Sequence, residues 1–154
     1  MSSIKDTIKK QIEIQTALDA DRSHRLKDKI VREITNAALT AKWENSVLRP
    51  AFEAAQKEIE AGTREAGKPT QTKLVERQGR PGQILPALIL SVGQESTAIT
   101  AEWDRRNARA SINAVFGRTT TSSEFAAKEE IGNLQREKLD SIFDSFCHQA
   151  FMPR

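Results

Sequence analysis

The chain has 154 residues, of which 38% are apolar and 29% charged, with a net charge of +3 and one cysteine. That length is enough for one domain with a core, and the charged fraction implies a large wet surface. No apolar run approaches about 18 residues, no apolar h-region follows Met1-Ser2-Ser3-Ile4-Lys5-Asp6, and Cys147 has no second cysteine to pair with. The expectation is a cytoplasmic protein with no membrane partner, folded as a single α+β domain over 1–154. Its expected parts are a helical arm (1–67), a β-meander (68–118) and a C-terminal helix (119–154).

Residues 4–61 contain no glycine and one proline, Pro50. Ile4, Ile8 and Ile12 open an amphipathic stripe from which Ile14 and Leu18 drift, and the polar stretch Asp19-Ala20-Asp21-Arg22-Ser23 predicts a break in the helix. The stripe resumes at Leu26 and Ile30. From Ile34 it runs at alternating spacings of four and three through Ala38, Ala41, Asn45, Leu48, Phe52, Ala55 and Ile59, a seam of coiled-coil type. Pro50 removes one helical hydrogen bond and predicts a kink near 46–50; Gly62 and Gly67-Lys68-Pro69 end the helix.

A helix over 4–61 would run about 87 Å, against a diameter of about 40 Å for a compact chain of this size. It must fold back or pack on another chain. The C-terminal helix is expected to lie antiparallel on 34–61, which leaves Ile4, Ile8, Ile12, Leu18 and Leu26 as candidates for homo-oligomerisation.

Beyond residue 70 the period changes to two. Thr72–Gln78, Leu85–Val92, Thr97–Trp103 and Ala108–Phe116 read as four strands of an antiparallel meander, with Arg80-Pro81-Gly82-Gln83 in a type II turn. Thr121-Ser122-Ser123-Glu124 matches a helix capping box, so a helix is expected from about 122 to 150.

No residue is nominated as catalytic, cofactor-binding or metal-ligating. Cys147 and His148 are neighbours that diverge on a helix, His24 stands alone in a polar stretch, and Gly79-Arg80-Pro81-Gly82 lacks the Gly-Lys-Ser/Thr end of a phosphate loop. Residues 68–118 carry eight basic and four acidic side chains. Arg77, Arg80, Arg105, Arg106, Arg109 and Arg118, with Lys73, are therefore candidates for an acidic protein partner or for nucleic acid, the latter disfavoured because no aromatic platform lies among them. Trp43 sits off the seam; it is read first as core and second as an anchor for a partner. The sequence thus reads as a non-catalytic interaction protein, acting through a helical arm and a basic sheet face as an adaptor, an assembly factor or an inhibitor of a larger machine, phage-encoded inhibitors included. A nucleic-acid-associated protein is the alternative, and an enzyme is third.

Overall fold

A computed structural model describes residues 3–153. The chain divides into two compact units, Met1–Thr35 and Asn36–Arg154. Helix α1 spans Ile4–Trp43, a π-helical turn Glu44–Leu48, and helix α2 Arg49–Glu65. Strands β1 (Thr72–Arg77), β2 (Ala87–Val92), β3 (Thr97–Asp104), β4 (Arg109–Phe116) and β5 (Thr121–Glu130) follow, then a 3₁₀ turn, Ile131–Asn133, and helix α3 (Arg136–Ala150). No described helix is long and apolar enough to cross a membrane.

In the first unit the expected break at 19–23 is absent, since α1 runs through it without interruption. With no glycine or proline to terminate the turn, polar pairs one turn apart hold the stretch helical: Gln15 Nε2 donates to Asp19 Oδ1 at 2.9 Å, Arg25 pairs with Asp21 at 3.0 Å, and His24 meets Asp28 at 3.4 Å. All described residues up to Arg32 are exposed.

In the second unit the helix meets Pro50, which has no N–H to give. The chain absorbs the lost bond by widening one turn: the Arg49 N–H reaches back five residues to Glu44 O, and Pro50 then sits in the first turn of α2. The Ser46 hydroxyl donates to Lys42 O at 2.6 Å. Past the turn the seam is buried at Leu48, Phe52, Ala55 and Ile59, while Ile34, Ala38 and Asn45 remain exposed. Within this unit, helix α3 therefore does not cover the seam at Ala38 and Asn45. It packs on α2, with the Phe52 and Phe143 rings edge to face at a centroid distance of 4.8 Å.

The sheet has five strands rather than four, all antiparallel in the order β1-β2-β3-β4-β5. The segment expected to begin the C-terminal helix is β5, in register with β4 from Phe116↔Thr121 to Arg109↔Glu130. Ladder bonds to β4 override the capping-box pattern. A bulge near Ser111 lets β5 keep pace: Lys128 takes a left-handed φ of 45°, and its N–H donates to Ser111 Oγ at 2.9 Å. Helix α3 accordingly starts at Arg136 and is half the expected length.

One sheet face carries the core. Leu88, Leu90, Val92, Ile99, Ala101, Trp103, Ala110, Ile112, Ala114 and Phe116 join Leu48, Phe52 and Ile59 of the helical layer and Leu139, Ile142, Phe143 and Phe146 of α3 in one cluster. The Arg80–Gln83 turn forms as expected, with Gly82 at φ 76° and the Gln83 N–H on Arg80 O at 3.0 Å.

Candidate functional site

Antiparallel partners share a face, so the strand registers assign the outer side of the sheet directly. Among the register-paired positions it carries Lys73, Arg77 and Arg109 against Glu102, Asp104, Glu124 and Glu130, three cations to four anions. The expected basic face is not basic. Arg77 pairs with Glu102 at 2.6 Å, and Arg109 pairs with Glu130 at 3.3 Å while donating to Lys128 O at 2.8 Å. Positive charge counted along the chain is met by carboxylates that the fold brings alongside, one of them from β5.

The remaining arginines are dispersed. Arg118 donates to Met152 O at 3.5 Å, Arg80 is exposed in the turn after β1, and the Arg106 amide is held by Asp104. Arg105 does structural work: its guanidinium grips the buried Glu44 carboxylate through two bonds, Nε to Oε1 at 2.7 Å and Nη2 to Oε2 at 3.1 Å. Beside it Arg49 is bonded to Glu76. Each carboxylate raises the affinity of its arginine for the proton, and Arg49 holds Glu76 below the usual carboxylate range, the hydrogen bond being the main cause. Glu44 sits on the π-helical turn, so this pair ties the Pro50 irregularity to the β3–β4 connection.

Trp43 is core rather than surface. It is buried, and its indole Nε1 donates to Leu134 O at 2.7 Å. Asn45, the polar member of the seam, bonds locally: its amide donates to Ala41 O at 3.0 Å and its carbonyl accepts from Arg49 Nε at 3.2 Å.

A groove of about 740 Å³ lies between α2 and α3, lined among others by Ala54, Glu58, Gly62, Phe143, Cys147 and Phe151. Burial, together with Asp144 and Glu58, pushes the Cys147 thiol from an ordinary 9.0 up to about 11. It is the reverse of an activated nucleophile. Among the described residues no three of His, Cys, Asp and Glu converge as a metal-binding group would.

A long run of exposed apolar side chains lies on α1. Ile4, Ile8, Ile12, Leu26, Ile30 and Ile34 are 47% to 81% exposed, and Ile14, Leu18, Val31 and Leu39 are exposed as well. The six fall on one helical face at spacings of four, four and three, a repeat of eleven whose middle copy is the polar set Gln15, Asp19 and Ser23. Two apolar triads thus flank a polar waist. Leu18 lies beside the stripe.

No family model, curated protein or solved structure matches this chain.

Proposed function

We propose that the protein is a non-catalytic interaction protein whose recognition element is the apolar stripe of α1 from Ile4 to Ile34. One observation carries this reading: six large aliphatic side chains share one face of a helix and lie open to water. Leaving them wet forfeits roughly 1.5–3 kcal/mol each relative to full burial, a cost that a bound chain would remove. Isolated helices are marginal in water, and most helical stability comes from a covered apolar face. The sheet gives less support to a nucleic-acid reading, because Arg77, Arg105 and Arg109 are already held by Glu102, Glu44 and Glu130.

A photo-crosslinking side chain placed at position 8 or 30 tests the reading against the same group at 10 or 28 on the opposite face. Protein adducts are expected from 8 and 30 and not from 10 and 28. Equal adducts from both faces, or none from either, would overturn it.

A further inference from the structure

We infer that the occupant of the stripe is a second copy of this chain, paired antiparallel about a two-fold axis at Asp19. The inference rests on the interaction reading above and names its partner. Its basis is a symmetry of the stripe itself. Ile4 and Ile34, Ile8 and Ile30, and Ile12 and Leu26 are each centred on residue 19, and all six are exposed. When two such helices run in opposite directions with their Asp19 residues level, Ile4 of each chain meets Ile34 of the other, Ile8 meets Ile30, and Ile12 meets Leu26. Each of these six side chains finds an apolar partner, which is the condition for an isologous two-fold interface.

Charge separates this alignment from the parallel one. A parallel pair in register sets every charge level with its own copy. The antiparallel pair sets Lys5 level with Glu33, Asp6 with Arg32, Lys10 with Asp28 and Glu13 with Arg25, leaving Lys9 with Lys29 and, on the axis itself, Asp19 with its own copy as the like-charged exceptions. Only Lys5 and Glu33 of these opposite pairs flank the seam, so the effect is a bias in orientation more than a source of affinity. The opposed helix dipoles favour the same direction.

Area is sufficient. Residues 4–34 rise about 45 Å, and a contact one helix wide, about 10–12 Å, covers about 500 Å² on each chain and about 1,000 Å² in all, the floor for a specific interface. The polar waist pins the register: sliding by one eleven-residue repeat would set an isoleucine triad against Gln15, Asp19 and Ser23.

Cysteine crosslinking in the full chain decides the matter. In a Cys147→Ser background, Ile8→Cys and Ile30→Cys are prepared separately, mixed, oxidised and weighed, beside light scattering of the unmodified chain. Expected are a mass of twice 17.2 kDa in scattering, a disulfide between position 8 of one variant and position 30 of the other, and at least tenfold less of either variant paired with itself. Disulfides of 8 with 8 and 30 with 30 would show a parallel pair and overturn the inference. A monomer whose stripe nonetheless crosslinks on one face to another protein would also overturn it while leaving the interaction reading in place; a monomer with no face preference would sink both.

Discussion

Residues 4–35 and 36–154 use the same ingredient with opposite outcomes. Ile12 and Ile59 both occupy the apolar stripe of a regular helix, yet Ile12 is 60% exposed and Ile59 6%. In the second unit a sheet face and α3 meet the stripe; in the first, the described stripe residues lie exposed. Periodicity therefore specifies that a helix forms and which face wants burial, while the identity of the covering surface is a separate fact. The stripe isoleucines of 4–34 lie exposed, and Ile59 of α2 is core.

The sharpest way to break this comparison is to truncate one residue from each side. Phe52→Ala removes a fully buried ring from its contact with Phe143 and should cost about 3–5 kcal/mol in denaturant unfolding. Ile8→Ala should change the stability of the 36–154 unit by less than about 0.5 kcal/mol. Similar losses in the two variants would mean that residue 8 belongs to the core.

Thiol chemistry offers the next contrast. With its pKa near 11, Cys147 should alkylate at pH 8 about 100-fold more slowly than an ordinary cysteine, because each unit removes about tenfold of the thiolate. A cysteine at position 8, in the Cys147→Ser background and at a concentration too low for pairing, should react at the ordinary rate. The sign for stability follows. A thiol whose folded pKa is raised contributes fully below pH 9 and loses its contribution as pH climbs from 9 to 11, where the unfolded chain ionises first. Equal alkylation rates at the two positions would contradict the burial of Cys147.

Within the second unit the arginines should split. Arg105→Ala strands the buried Glu44 carboxylate and should cost about 2 kcal/mol, less than for a fully enclosed pair because the Arg105 side chain is about half exposed. Adding Glu44→Gln should recover part of the loss. Arg109→Ala, whose partner Glu130 is exposed, should cost less than about 0.5 kcal/mol. If all three proteins melt together, the Glu44–Arg105 pair is not holding the π-helical turn.

Much of this arrangement is legible in the sequence. Alternation places β1 to β4 within two residues, Gly82 announces its turn, and the absence of glycine before residue 62 announces the helix. The errors have physical causes. Strand β5 carries Glu, Ala and Lys, which favour helices, and its alternation is interrupted at the Lys128 bulge; the run Thr119-Thr120-Thr121-Ser122-Ser123 after Gly117 was the available signal for a strand. The polar stretch 19–23 stays helical because one-turn pairs replace the missing apolar anchors. The basic face disappears in part because Glu44 and Glu130, which pair with Arg105 and Arg109, lie outside residues 68–118. The symmetry about Asp19 was present in the spacing, hidden by the polar waist that reads as a break.

Amide hydrogen exchange at a series of protein concentrations distinguishes a paired helix from a lone one. Helix 4–34, unpaired, should open and exchange within seconds, and pairing should protect it. Protection of 4–34 should rise with concentration while that of 36–154 stays constant. Protection of 4–34 that is the same at every concentration would contradict pairing.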